Sequence, residues 1–175
     1  MGCSTGSGKT MRGYDNSKPV RADNYPDSLR ESKVVLRKMK TPDSDYFKLT
    51  DKTPRTAFIN YLDENNLAYS KAELKTIIED SNSFIMGLKT YYNRPRPAQI
   101  NPDIKPFKSL TANTPSYPSG HSFQAYLLAR YLTKLHPTHF FSFYSIARRI
   151  TNARTKAGLH YPSDNKKAFE LAHSL

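Results

Sequence analysis

The chain is 175 residues long, the length of one domain, with 27 Lys and Arg against 15 Asp and Glu and a net charge of +12. Such a surplus implies an anionic partner: nucleic acid, anionic lipid or a phosphorylated substrate. A single cysteine, Cys3, excludes a disulfide framework and a cysteine-based zinc site, and no apolar run approaches the roughly 18 residues of a spanning helix.

Residues 1–24, rich in Gly, Ser, Asp and Asn, read as a flexible leader ahead of one helical domain over 25–175. Two motifs in the leader fail. The Gly6-Ser7-Gly8-Lys9-Thr10 string imitates a phosphate-binding loop, but the first required glycine falls on Cys3 and no strand precedes it. Met1-Gly2-Cys3 invites lipidation at Gly2 or Cys3, but the Ser or Thr expected at position 6 is Gly6. The expectation is a soluble chain with no signal peptide and an unmodified leader, with lipidation at Gly2 or Cys3 as the alternative and the compartment left open.

Further along, the helical signals accumulate. Thr53-Pro54 is an N-cap followed by proline in the first turn, opening a pattern of Phe58, Ile59 and Leu62. Ser70 and Glu73 form a capping box before a stripe of Leu74, Ile77, Ile78, Ile85 and Leu88. The proline-rich segment from Asn93 to Pro118 reads as a long ordered loop. Helices follow from about Gly120 to Leu135 and from about Thr138 to Ala157, each with an apolar face. Valine is scarce and period-2 alternation is absent, so the expected fold class is all-α, a compact helical bundle.

Charge is distributed unevenly. Eleven of the cations lie between Ser81 and Ser163, where Asp103 is the one acid. Lys89 and Arg154 stand one turn beyond Ile85 and Ile150, on faces that should be apolar. A long cation there is costly unless something negative meets it. Together they point to an anion held between helices.

Three blocks in this stretch carry chemistry. They are Lys89 with Arg96-Pro97 after six residues; Pro118-Ser119-Gly120-His121; and Arg154, five residues, His160, three residues, Asp164. Arginine forks match phosphate oxygens in pairs, lysine adds a point charge, and a Ser-Gly helix start offers backbone N–H groups. Taken singly, each block has a bland explanation: a basic linker, a helix cap, a structural His–Asp pair.

In this order and spacing the blocks resemble the tripartite signature of the type 2 phosphatidic acid phosphatase superfamily. That superfamily includes bacterial class A acid phosphatases and vanadate-dependent haloperoxidases. The likeness spans Lys89 to Asp164 and departs at Ala153, where the family has Ser, and after Ala168, where Phe169 replaces a frequent glycine. It implies a helical bundle of the acid phosphatase/haloperoxidase type and metal-free phosphoryl transfer through a phosphohistidine. It implies His160 as nucleophile, Asp164 as the carboxylate orienting it, and His121 as general acid. Lys89, Arg96, Arg154, Ser119 and Gly120 would bind phosphate. No cofactor is expected, with vanadate a phosphate mimic, and Ala153 is expected to lose one secondary hydrogen bond.

The expected substrate is a phosphate monoester, a small molecule or a lipid phosphate or pyrophosphate. Nucleic acid is not expected as the partner, and oligomeric state is left open. A vanadate haloperoxidase and a basic nucleic-acid-binding protein are the alternatives. Tyr91, Tyr92, Phe107, Tyr117 and Tyr161 either frame the leaving group or are ordinary core.

Overall fold

The structure, a computed structural model, describes residues 17–175. Among them there are eight α-helices and no strand: α1 (Ser28–Lys38), α2 (Ser44–Thr50), α3 (Arg55–Glu64), α4 (Lys71–Tyr92), α5 (Pro97–Ile100), α6 (Gly120–Leu135), α7 (Phe140–Lys156) and α8 (Pro162–Ser174). The rejected nucleotide-loop motif and the lipidation positions Gly2 and Cys3 lie outside the described residues.

Helix α6 is the hub. It packs against α4, α7 and α8, and Phe123, Ala125, Leu128, Ala129 and Leu132 on it are sealed from solvent. Leu74 and Ile85 of α4, Phe143, Ala147 and Ile150 of α7, and Ala168 and Ala172 of α8 close the same core. Burying each large apolar side chain here contributes about 1.5–3 kcal/mol. The small alanines let the last helix approach closely.

The helix starts follow their local chemistry. The Ser70 side chain accepts the Glu73 N–H and opens α4, as the capping box predicts. The Ser119 side chain does the same for α6 by accepting the Ser122 N–H. At α3 the boundary differs by one residue. Pro54 takes the cap position, and the Thr53 hydroxyl accepts the Arg55 N–H at 3.3 Å. The expected start of α7 near Thr138 resolves into a short 3-10 turn, Pro137–His139, with the α-helix beginning at Phe140.

Four helices escaped the sequence reading, the last of them α8, which opens on Pro162. Helix α1 is opened by Asp27, whose side chain accepts the Arg30 N–H, and it carries few large apolar residues to mark a stripe. Helix α2 is seven residues long. The proline-rich loop contains the one-turn helix α5, where Pro97 fills the first helical position and Gln99 accepts the Arg96 N–H at 2.7 Å.

Residues 17–24, the described part of the expected leader, lie along the end of α4. The Arg21 N–H bonds the Tyr92 carbonyl at 3.0 Å, and the Arg21 guanidinium sits 4.4 Å from the centre of the Tyr91 ring. The Asn93 side chain donates to the Lys18 carbonyl and the Asn24 side chain to the Tyr92 hydroxyl. The polar composition that suggested a loose leader here serves hydrogen bonds to the helix terminus.

Candidate active site

The three blocks converge on one cleft of about 350 Å³. Lys89 from α4, Arg96 from the turn before α5, Gly120 and His121 from the start of α6, Arg154 from α7 and His160 from the turn before α8 all line it. Lys89, Arg96, Arg154 and both histidines are buried. Lys52 and Thr53 stand at the same cleft, and its apolar walls are Ile78, Ile85, Met86 and Leu110.

The turn that delivers His160 needs its glycine. Gly158 has φ +76°, and a Cβ there would meet the Met39 side chain at 3.0 Å. The next helix begins immediately. Asp164 in its first turn accepts the backbone N–H of Tyr161 at 3.0 Å, so the carboxylate that meets His160 also caps α8.

Hydrogen bonds fix the His160 tautomer. Arg96 can only donate, and its Nη1 lies 3.0 Å from Nε2 of His160. Nε2 therefore carries the lone pair, and Nδ1–H donates to Oδ2 of Asp164, also at 3.0 Å. Asp164 is wholly buried and accepts further from Ser116 Oγ at 2.5 Å and Arg94 Nη1 at 2.7 Å. Burial first, and then the cations Arg96, Lys89 and Arg154, hold His160 well below its ordinary pKa, so the imidazole is neutral.

His121 is fixed differently. Its Nε2 lies 2.9 Å from the Asp51 carbonyl and donates to it, leaving Nδ1 as the other ring nitrogen. Burial, followed by the charge of Arg154, depresses its pKa as well.

The cations are unevenly satisfied. Arg154 pairs with Asp51 at 2.6 Å and reaches Ser109 and Thr111, while its Nε is buried without a partner. Lys89 donates to the carbonyls of Pro115 and Ser116, at 2.6 and 3.4 Å. Arg96 donates to the carbonyls of Thr114 and Leu159, at 2.9 and 2.8 Å. Among the described residues neither Lys89 nor Arg96 has a carboxylate within ion-pair distance. Burial and then the Arg154 charge lower Arg96 to about 9, so it stays protonated at neutral pH. Three cationic side chains thus surround the cavity, offset in part by Asp51, which pairs with Arg154, and by Asp164 behind His160, while burial pushes the Lys89 amine well below its ordinary pKa. Such a field favours an anion strongly. Among the described residues no three His, Cys, Asp or Glu side chains gather as a metal-binding group.

Some expected residues sit elsewhere. The Ser119 side chain is sealed and bonds Ser122, whose own hydroxyl donates to Asn165. It anchors the helix start and does not line the cleft. Ala153 packs with Phe47, Ala157 and Leu159 in an apolar cluster. The five aromatic residues line none of the cleft. Phe107 meets Phe47 edge-on, and Tyr117 and Tyr161 pack around Arg94. Of the five, Tyr117 and Tyr161 are buried core, Tyr92 and Phe107 are half-buried, and Tyr91 is exposed.

Sequence reasoning missed residues of consequence, among them Asp51 and Arg94. Asp51 pairs with Arg154, accepts from Ser109 and the Leu110 N–H, and offers its carbonyl to His121. Arg94 binds Asp164 from behind. Asp51 lies over a hundred positions from its partner, so spacing gave no signal. Arg94 was visible as a cation inside the Lys89–Pro97 string.

A protein-family model, the PAP2 superfamily, matches residues 76–167, which enclose all three blocks. No curated protein matches the chain. Among solved structures, the crystal structure of a transmembrane PAP2 type phosphatidylglycerolphosphate phosphatase from Bacillus subtilis is similar, with 18% identity, a TM-score of 0.48, and coverage of 83% of this chain and 78% of that one. Among the described residues no helix of the present chain is long and apolar enough to cross a membrane. The matched family model covers more than half of the sequence, and the chain belongs to the PAP2 superfamily.

Proposed function

We propose that the chain is a phosphatase that hydrolyses phosphate monoesters without a metal ion, through a phosphohistidine on His160. Membership of the PAP2 superfamily supports phosphatase activity. The observation that carries the finer reading is the cleft itself, where three buried cations meet a neutral histidine whose Nε2 lone pair is fixed by Asp164.

Phosphoryl transfer has a charge-rich transition state, so positioning and electrostatics supply most of the catalysis. Lys89, Arg96 and Arg154 hold the non-bridging oxygens, with the backbone at Gly120 contributing from the positive end of α6. The arriving phosphate draws the Arg96 guanidinium from Nε2 of His160. That nitrogen attacks phosphorus and the bond to the leaving oxygen breaks. His121 gives the alkoxide a proton from Nδ1, while its Nε2–H stays on the Asp51 carbonyl.

Water then attacks the phosphohistidine, His121 takes its proton, and the P–N bond breaks to release phosphate. The dianion beside His121 raises the depressed pKa of that imidazole and so equips it as an acid. General acid help of this kind contributes about 10²–10⁴-fold. A lipid phosphate fits the apolar cleft walls of Ile78, Ile85, Met86 and Leu110.

The test is release of phosphate from p-nitrophenyl phosphate and from phosphatidic acid vesicles, each in EDTA. The proposal expects turnover of at least one in EDTA. Activity that vanishes in EDTA and returns with a divalent ion would overturn metal independence.

A further inference from the structure

Behind the catalytic dyad lies a second buried charge network. Arg94 is fully buried, donating to Oδ1 of Asp164 at 2.7 Å and to Glu31 of α1 at 2.9 Å. Its guanidinium is sandwiched between the rings of Tyr25 and Tyr161, at 3.9 and 3.8 Å from their centres. Ser163 ties the pair together. Its hydroxyl accepts from Arg94 at 2.7 Å and donates to Glu31 at 2.6 Å, and its backbone N–H donates to Glu31 at 2.7 Å.

The chain of charges runs Glu31, Arg94, Asp164, His160, Arg96, with alternating sign around the neutral imidazole. Arg94 does not line the cleft and cannot touch substrate. Stability alone is a weak reason for sealing such a network, because buried ion pairs can often be replaced by apolar groups at no cost. Its contact with the Asp164 carboxylate is a better one. A lone Arg94 would draw the Asp164 charge toward itself. Glu31 balances Arg94, so the carboxylate's field remains directed at Nδ1 of His160.

We propose that Glu31 and Arg94 are positioning residues that set the basicity of His160 through Asp164. The inference rests on the phosphohistidine reading above. The groups facing His160 are Asp164 from α8, Arg96 from the turn before α5, Lys89 from α4, His121 from α6 and Arg154 from α7. Glu31 and Arg94 act from behind Asp164, where each can be changed without altering that set.

The experiment follows the His160 imidazole titration by ¹H–¹⁵N NMR in the intact ligand-free chain, alongside kcat and KM. Glu31→Gln removes a negative charge, so the His160 midpoint falls, by about half a unit. Arg94→Gln removes a positive charge, so it rises, by about one unit, as expected for a unit charge at this range in a screened interior. The double variant returns toward the parent value. In each single variant kcat falls about tenfold with KM little changed. His160→Ala is the control for the reading beneath: full turnover there would overturn the phosphohistidine and this proposal together. With His160→Ala inactive, midpoints that stay fixed or move in one direction in both variants overturn the proposal alone. Should Arg94→Gln fail to fold, the Glu31→Gln midpoint decides, and an unshifted value contradicts the proposal.

Discussion

Two buried arginines, Arg154 and Arg94, each grip carboxylates, yet only Arg154 lines the cleft. Arg154 lines the cleft, pairs with Asp51 and keeps an unpartnered Nε. Arg94 is closed behind the dyad, with two carboxylates, two serines and the rings of Tyr25 and Tyr161 saturating it. The difference separates two uses of buried charge. An under-satisfied cation beside a cavity is poised for a ligand, whereas a saturated one holds other groups in place.

The comparison breaks most clearly under truncation. Arg94→Ala leaves Glu31 and Asp164 without their shared cation, and urea unfolding should report a loss of about 3–5 kcal/mol. Arg154→Ala should instead lower kcat/KM by about 10²–10³-fold, the usual cost of removing one preorganised transition-state contact, with a smaller stability loss. Equal stability losses in the two variants would erase the distinction.

Phosphate sharpens the same contrast. At about a hundred times its dissociation constant, phosphate should stabilise the parent chain by about 2.7 kcal/mol in thermal unfolding. Lys89→Ala and Arg154→Ala should lose most of that gain at the same concentration, because the cleft loses a cation. Undiminished stabilisation in both would place phosphate elsewhere.

Asp51 predicts a pH effect. Burial alone would raise its pKa, but hydrogen bonds from Ser109, Arg154 and the Leu110 N–H outweigh that and lower it. A carboxyl depressed on folding contributes stability above its unfolded pKa, near 4, and loses it as pH falls through the folded value. Unfolding measured from pH 5 down to pH 3 should therefore show an acid-side loss that Asp51→Asn lacks.

The smallest effect belongs to Ala153. A serine there enters the cluster of Phe47, Ala157 and Leu159, so Ala153→Ser should cost about 1 kcal/mol and change kcat by less than about twofold. A large gain in kcat would mean that the hydroxyl reaches phosphate, as the family pattern implies.

Much of the fold could be read from the sequence where apolar spacing and caps agree. Ser70 and Glu73 mark the start of α4, and the stripe from Phe123 to Leu132 marks α6. Helix α1 could not be read this way, because its inward face buries Glu31 for the charge network and Ser32 against the Asn101 side chain, with Val35 as its one fully buried apolar residue. The site was legible through motif spacing, which brings Lys89, Arg96, His121, Arg154 and His160 to one cleft. Spacing misassigned the side chain of Ser119, since a residue type at a helix start serves capping and anion binding equally well. It was silent on Asp51 and Glu31, whose partners lie far along the chain. Pairing across such distances is set by packing, and no local pattern encodes it.

The most direct measurement is chemical trapping of the intermediate. The enzyme is quenched in alkali during turnover in EDTA, and its peptides are read by mass spectrometry. The account predicts an acid-labile, alkali-stable phosphoryl group on His160, absent from His160→Ala, which should also be inactive. Steady turnover by His160→Ala, or a phosphoryl group on another residue, would contradict it.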